Sequence, residues 1–436
     1  MWKIFGFDRE QHSFRSEIVG GITTFMTMSY IIFVNPVILS AAGMDANAVR
    51  VATCLAAALG TLLMGVLGRY PVAQAPAMGH NAFFAFMVCG TMGYSWPVAL
   101  GANFISGSIF VVFSFLKLWE GLVNAVPNSL KHGIAAGIGL LIALIGMEYG
   151  GIVVSHPATY ITLGKLTSPA VLVTIIGILS TLILMQLRVP GAILWGLLVA
   201  TLTGLVAGVV TYHGVVSLPP AIQPTFLKLD ISGALKTGLI PIIFIFFFLD
   251  IFDTMGTLIG VSAQAGFIKD GKLPRTNQAM LADALATVTG TLLGTSTVTS
   301  YIESTTGIAQ GARTGLANLV TALLFILALF FNPLAEMIGG TYGTGLHPVI
   351  APALIVVGYL MMKSVVHINW DDSAESIPAF LAIIIMPFTF SITEGIAFGF
   401  ISYTLLKLVN GQGRQVHWFM YVMAMLFIVR YIFIIN

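Results

Sequence analysis

The segment "GTSTVTSYIESTTGIAQGARTG" (residues 294–315) is too polar to cross a bilayer as an ordinary helix, yet the chain on either side is strongly apolar. Threonine and serine crowd it up to residue 300, and the mostly β-branched residues at 297–302 suit an extended piece. A helix is expected to start around Glu303. Irregular backbone at membrane depth is tolerated only where protein covers it or where it lines a cavity. A second segment of this kind, "VAQAPAMGHNAFFAF" (72–86), lies in the first half of the chain, where Pro76 and Gly79 oppose a continuous helix. There the helix is expected to resume near Asn81.

The surroundings make membrane depth the right frame. The 436 residues are 57% hydrophobic and 8% charged, with a mean hydropathy of +0.97. An ordinary soluble domain is about a quarter charged. The composition is that of an all-α polytopic membrane protein whose main partner is the lipid bilayer. A formal net charge of +2 argues against a nucleic acid partner. Cys54 and Cys89 both sit in apolar runs, which points to two buried apolar residues rather than a disulfide or a metal cluster. The amphipathic N-terminus, "MWKIFGFDREQHSFRSE", reads as a cytoplasmic cap ahead of the first spanning helix.

Spanning helices need roughly 20 apolar residues, fewer where a bundle is irregular. The pattern gives spans at 18–40, 50–68, 81–92 (short), 97–117, 130–148, 168–187, 191–212, 238–260, 277–293, 303–312 (short), 315–338, 347–363, 376–391 and 393–409. A further apolar stretch, 416–435, holds Arg430 and is either an extra span or an interfacial helix with a snorkelling arginine. With the N-terminus inside, fourteen basic residues fall on the inner side, among them Lys3, Arg69, Lys131, Arg188, Lys269, Lys272, Arg313 and Lys407. Only Arg50, Lys165, Lys228 and Lys236 fall outside. That bias fixes the orientation.

The two polar interruptions follow related helices. "LAAALGTLLMGVLG" (55–68) aligns without gaps on "LADALATVTGTLLG" (281–294), pairing Leu55 with Leu281, Leu59 with Leu285, Thr61 with Thr287 and Gly68 with Gly294. The offset is near half the chain and an odd number of spans separates the copies, so the halves have opposite topology. Inverted repeats with interrupted helices at matching positions mark secondary transporters, and the interruptions point to the binding site. The expected organisation is a cytoplasmic N-terminus (1–17), a first repeat (18–212), a linker (213–237), a second repeat (238–410) and a C-terminal apolar helix (411–436).

Charged residues in spanning segments are costly and functional. "FFFLDIFDTMGTL" (246–258) carries Asp250 and Asp253 at i and i+3, with Thr254 and Thr257 extending that face and Gly256 and Gly260 admitting a close neighbour. Glu303 opens the half-helix of the second interruption. No lysine or arginine lies at similar depth, so these acids are suited to hold a proton and to accept N–H hydrogen bonds from a neutral, donor-rich ligand. Asn81 either caps its half-helix or bonds ligand, and His80 either relays a proton or packs beside the kink. Asp283, in the repeat helix, is expected to bond a backbone gap rather than substrate. Glu148, Glu336 and Glu394 fall near helix ends, where interfacial solvation accounts for them. Phe83, Phe84, Tyr301 and Phe246 to Phe248 offer aromatic surface for a flat heterocycle.

These residues resemble the nucleobase–ascorbate transporter family, in its AzgA-like branch of hypoxanthine, guanine and adenine permeases. The likeness runs from "GGITTFMTMSYIIFVNP" (20–36) through "APAMGHNAFFAF" (75–86), "LDIFDTMGTLIGV" (249–261) and "TSYIESTTGIAQGARTGL" (299–316) to "FSITEGIAFGFISY" (390–403). It implies two inverted seven-helix repeats, about fourteen spans, with short extended pieces in the third and tenth. The core domain would come from 18–117 and 238–338, the gate domain from 130–212 and 347–410. It also implies proton symport of a purine, no cofactor, frequent homodimers and a place in the bacterial cytoplasmic (inner) membrane. The family's binding carboxylates fall on Asp250 and Glu303, its second acid on Asp253, and its third-segment contacts on Met78, Gly79 and Asn81. The base-contacting backbone falls around Tyr301 and Ile302. One departure stands out: the usual Pro-Gly-Met-Gly-Leu-Asn here reads Pro-Ala-Met-Gly-His-Asn, which stiffens the helix entry at Ala77 and puts the ionisable His80 beside Asn81. His80 therefore joins Asp250, Asp253 and Glu303 as a proton-coupling candidate. The choice of purine, and proton against sodium, stay open at this stage. An anion exchanger of the same architecture and a uracil- or xanthine-type permease are the alternatives. A membrane aspartyl hydrolase is disfavoured, because both aspartates share one helix and no Gly-x-Gly-Asp motif is present. The chain is expected not to be an enzyme.

Overall fold

The computed structural model describes residues 2–117, 125–236, 239–268, 273–343 and 345–433. Lys269 and Lys272, counted above with the inner basic residues, lie outside them. The fold is mostly helical and divides into two compact units, Met1–Leu116 with Ile145–Val356, and Lys117–Leu144 with Val357–Asn436. Among the described residues eight helices are long and apolar enough to cross a membrane, and four shorter apolar helices accompany them.

The first unit begins with α1 (Phe14–Met28) and α2 (Ile31–Ser40), one apolar run broken at Ser29–Tyr30. Helix α3 (Ala46–Leu63) is N-capped by Asp45, which accepts from the Ala48 N–H at 2.8 Å. It continues in wide i→i+5 turns to Gly68 and stops where Arg69 takes a left-handed conformation, φ 63°. The first interruption follows as strand β1 (Gln74–Pro76) and helix α4 (Met78–Ala82), which runs on in wide turns through Thr91. The unit continues with α5 (Trp96–Leu116), the end of α6 (Asn128–Tyr149), a hairpin of β2 (Val153–His156) and β3 (Tyr160–Leu163), α7 (Pro169–Gln186), α8 (Ala192–Val206) and α9 (Ile231–Lys236). The hairpin pairs Val153 with Leu163 and His156 with Tyr160, and no periodicity in the sequence announced it. Then come α10 (Ile240–Ala265) and α11 (Thr276–Leu293). The second interruption is strand β4 (Val298–Ser300) and α12 (Ser304–Ala309), with Glu303 at the N-cap position; α13 (Leu316–Ala328), α14 (Asn332–Gly339) and the first half of α15 (Ala351–Met362) complete the unit.

Strands β1 and β4 form a buried antiparallel ribbon, Gln74 opposite Ser300, Ala75 opposite Thr299 and Pro76 opposite Val298. Backbone bonds from Ala77 N–H to Thr297 C=O (2.9 Å) and from Tyr301 N–H to Ala73 C=O (3.0 Å) close its ends. Two strands leave two edges, and in a buried site every edge group needs a partner. Threonines supply them. Thr61 of α3 bonds both the N–H and the C=O of Gln74, and Thr287 of α11 does the same for Val298. These are the two threonines paired by the sequence alignment.

Glycines let helices cross at backbone distance around the ribbon. A Cβ on Gly307 in α12 would lie 2.1 Å from Thr24 Oγ1 and 2.4 Å from the Gly20 carbonyl of α1. Gly307→Val is therefore expected to cost about 1–3 kcal/mol through overpacking, read as a lower melting temperature in detergent. A matching change at Gly256, with nothing within 4 Å, should leave that temperature in place. Next to this crossing, the buried Glu17 carboxylate of α1 accepts from the N–H groups of Arg313 (3.0 Å), Thr314 (3.1 Å) and Ala317 (3.2 Å). It caps α13 across 300 residues of chain. Within the Gly-x-Arg-Thr-Gly turn at 311–315 the N–H groups of Arg313 and Thr314 converge on this acid, while Gly311, Ala312 and Gly315 bond the carbonyls of Ile308, Gly307 and Phe5.

The second unit packs α16 (Ser373–Thr389) against α17 (Ile392–Val409), with the start of α6 laid on them. Gly133 of α6 permits contact, since a Cβ there would lie 2.7 Å from the Ala379 Cα. Lys407, almost fully buried, bridges Asp372 (3.1 Å) and Glu375 (3.2 Å). The terminal helix α18 (Trp418–Phe433) packs on α17. Its Arg430 meets Glu394 at 2.8 Å, and the Tyr431 hydroxyl donates to the same carboxylate. Arg430 thus pairs instead of snorkelling, and Glu394 is paired instead of merely solvated. Pairing two charges in an apolar setting costs less than leaving either alone. Glu336, in the first unit, accepts from the Asn332 amide at 3.0 Å.

Candidate functional site

Helix α10 divides its polar residues between a buried and an open setting. Asp250 and Thr254, at i and i+4, turn inward. Asp250 is 1% exposed, and its Oδ2 lies 3.1 Å from Thr287 Oγ1. Thr254 donates to Asp283 Oδ2 at 2.6 Å. Asp253, Gly256, Thr257 and Gly260 are open or half-buried. Gly256 has nothing within 4 Å of a would-be Cβ, and the nearest atom to that of Gly260 is Ile302 Cδ1 at 3.6 Å. The sequence suggested one face carrying both aspartates and both threonines; at about 100° per residue the four lie within about 100° of one another, and packing buries Asp250 and Thr254 while leaving Asp253 and Thr257 half-buried at the edge of that face.

The open face is completed by the start of α12. Ile302 is 45% exposed and Glu303 half-buried, its Oε1 accepting from the Tyr30 hydroxyl of the α1–α2 break at 2.7 Å. Asp253 Oδ2 accepts from Thr299 Oγ1 of β4 at 3.3 Å. Asp253 and Glu303 are both half-buried on this face. Tyr301 points the other way, buried, its hydroxyl donating to Pro76 C=O at 2.5 Å. Its ring is tied to the ribbon, and its backbone N–H and C=O are bonded to Ala73 C=O and Ser304 N–H.

Behind the ribbon the polar residues are fully buried. Asn81 Oδ1 accepts from the Ser296 hydroxyl, and Asn103 Oδ1 of α5 from Thr297 Oγ1 at 2.7 Å. Among the described residues Asn81 Nδ2, Asn103 Nδ2, His80 Nε2, Gln74 Oε1 and Asp250 Oδ1 have no hydrogen-bond partner. Met78 and Gly79 are buried at the start of α4. Phe83, Phe84 and Phe246 are core residues packed on one another, Phe83 and Phe246 edge to face at 4.9 Å, so their rings are not free to stack on a ligand. Asp283 takes three side-chain hydrogen bonds, from Gln74 Nε2 (2.7 Å), Ser300 Oγ (3.1 Å) and Thr254. It binds side chains of both strands where the sequence suggested a backbone gap. Among the described residues no group of three His, Cys, Asp or Glu is arranged to hold a metal ion.

Tyr30, Thr287, Thr299, Asn103 and Gln74 were not singled out by sequence reasoning. Their types are unremarkable in a membrane helix, and only the fold puts them beside the acids. The one available signal was the Thr61–Thr287 match in the repeat.

A broken-helix ribbon between long apolar helices, with acids at membrane depth, defines an integral membrane carrier. A family model described as the Permease family matches residues 15–398. The chain belongs to that permease family and is not an enzyme. It is 51% identical to a putative permease of Methanocaldococcus jannaschii over 434 residues, covering 99% of this chain and 98% of that one. It is 44% identical to the adenine permease AdeP of Escherichia coli (96% and 93% covered) and 44% identical to the guanine/hypoxanthine permease PbuG of Bacillus subtilis (100% of each). Among solved structures the fold resembles the transmembrane domain of the cyanobacterial bicarbonate transporter BicA, with a TM-score of 0.61, 15% identity, and 88% and 97% covered. It also resembles SLC26A9, with a TM-score of 0.65, 13% identity, and 94% and 67% covered.

Proposed function

We propose that this chain is a secondary active transporter that imports purine nucleobases together with protons. The observation that carries the reading is the open face of Asp253 and Glu303, two carboxylates that, among the described residues, have no lysine or arginine bonded to either. Carboxylates are acceptors only when ionised, so this face suits a neutral, flat ligand with several N–H donors. Purines are such ligands, and two relatives at 44% identity carry adenine and guanine/hypoxanthine in their names. The resemblance puts Asp250 and Glu303 among the residues that bind the base; because Asp250 is buried, this reading gives its place to Asp253, so that Asp253, Glu303 and the segment at Tyr301 and Ile302 would contact the base. Met78, Gly79 and Asn81 would shape the site from α4, and Asp250, with His80 behind it, would serve proton coupling. The carboxylates oppose the anion-exchanger reading, because they would repel an anion; the likeness to BicA and SLC26A9 speaks for the fold alone.

In this reading the helices form two inverted repeats of seven, the third and tenth broken by β1 and β4. The core (18–117 and 238–338) moves against the gate (130–212 and 347–410) to expose the site on alternate sides. The N-terminus is cytoplasmic, in the cytoplasmic membrane, and a homodimer is the expected assembly. Purified protein in proteoliposomes tests this with labelled adenine and hypoxanthine. An inward proton gradient should raise initial uptake at least about tenfold, the equivalent of 1.4 kcal/mol, with unlabelled purines competing and uracil not. Uptake driven by sodium and indifferent to pH would contradict the coupling, and competition by uracil or bicarbonate would contradict the substrate.

A further inference from the structure

Thr61 and Thr287 occupy matching places in the repeat, and each clips the first residue of the strand that follows. In an antiparallel pair, alternate residues turn their N–H and C=O away from the partner strand. The end bonds Ala77–Thr297 and Tyr301–Ala73 place Gln74 and Val298 in that outward class. Thr61 Oγ1 accepts from Gln74 N–H at 2.9 Å and donates to Gln74 C=O at 3.0 Å. Thr287 Oγ1 accepts from Val298 N–H at 3.2 Å and lies 3.0 Å from Val298 C=O. The clips differ in one respect: Thr287 Oγ1 has Asp250 Oδ2 at 3.1 Å as a third neighbour.

A hydroxyl has one hydrogen and two lone pairs. If Thr287 donates to Val298 C=O, as Thr61 does to Gln74 C=O, it turns a lone pair to Asp250. Only an acid that carries a hydrogen makes a bond there. With the hydroxyl reversed, the buried Val298 C=O would lose its donor. An ionised Asp250 would then have one hydrogen bond for two oxygens, since Oδ1 has no partner among the described residues. Both outcomes cost more than a neutral acid in that place. Asp283 is in the opposite position. Its three donors each have a hydrogen to give, which is the environment of a carboxylate. Gly107 lets α5 approach Thr287 closely, as a Cβ there would lie 2.8 Å from the Thr287 methyl.

We infer that Asp250 is held as a neutral acid with its hydrogen directed to Thr287 Oγ1, and that Asp283 is its charged neighbour, a positioning residue that fixes the β1–β4 ribbon against α10. The use of that proton for coupling rests on the transport reading; the assignment itself does not. The other ionisable groups on the packed elements are Asp253 on α10, His80 on α4 and Glu303 at the head of α12, while α5, β1 and β4 contribute none.

Infrared difference spectra of the full-length protein in liposomes test the assignment. The carbonyl stretch of a neutral carboxylic acid should be present in the wild type and lost in Asp250→Asn. It should persist in Asp283→Asn at a changed frequency, its charged neighbour gone. In Thr287→Val it should move to higher frequency as the hydrogen bond disappears, whereas Thr287→Ser restores the wild-type position. These last variants keep the test alive if Asp250→Asn does not fold. A band that vanishes in Asp283→Asn and survives in Asp250→Asn would overturn the inference, and so would a wild type without the band. A wild type that shows the band but moves no nucleobase would remove the transport reading and leave this assignment intact.

Discussion

Glu303→Ala is expected to bring nucleobase uptake in proteoliposomes down to the level of empty vesicles. The carboxylate begins α12 at the open face, and the Tyr30 hydroxyl holds Oε1 at 2.7 Å, so its position is set before a ligand arrives. Removing one partner of a desolvated, charge-assisted hydrogen bond costs about 2–5 kcal/mol. At 1.4 kcal/mol per decade, that is a loss of about 30-fold to several thousand-fold. Tyr30 then loses its acceptor as well, which adds a buried unpaired hydroxyl to the cost. Glu303→Gln keeps the shape but presents an amide, and should lose at least about tenfold in affinity. Tyr30→Phe, which frees the carboxylate without removing it, should do less harm than either. Near-normal uptake by Glu303→Ala would take this residue out of the site.

The second large effect is expected at Asp250, and of a different kind. Asp250→Asn preserves size, and its amide can donate to Thr287 Oγ1, 3.1 Å from the carboxyl oxygen it replaces, in the place of the proposed acid hydrogen, but it has no proton to release. Accumulation against a concentration gradient should fall to near zero, because the driving ion has lost its carrier. The affinity for base should change less than about tenfold, or 1.4 kcal/mol, since Asp250 is buried behind the ribbon and away from the open face. Measuring KM alongside the accumulation ratio separates the two. Full accumulation by Asp250→Asn would place proton coupling elsewhere.

The contrast between these residues shows what the sequence carries and where it stops. The polar interruptions at 72–86 and 294–315 were legible because non-helical backbone in an apolar chain has few places to go. Helix α12 starts within one residue of the expected Glu303, since β-branched residues precede it and Ser-Thr-Thr-Gly follows. Helix α4 starts at Met78, three residues before the expected Asn81, with Ala77 in extended backbone at its N-cap. The two aspartates of α10 were legible as a pair but not in their different settings: i and i+3 are neighbours on a helix, yet Asp250 is buried against Thr287 of α11 while Asp253 is half-buried against Thr299 of β4. Nothing local shows that difference. The links from Tyr30 to Glu303, from Thr287 to Asp250 and from Glu17 to the turn at 313–317 are set by long-range packing, and a single sequence has no record of it. The pairing of Arg430 with Glu394 was hidden for the same reason: each charge alone looks interfacial.

A structure of the protein with adenine or hypoxanthine bound is the most direct test of the account. The ring is predicted on the face formed by Asp253, Gly256, Thr257 and Ile302, with N–H groups within about 3.2 Å of both the Asp253 and the Glu303 carboxylates, and with Asp250 out of contact behind the ribbon. A base held elsewhere, with both carboxylates untouched, would contradict it.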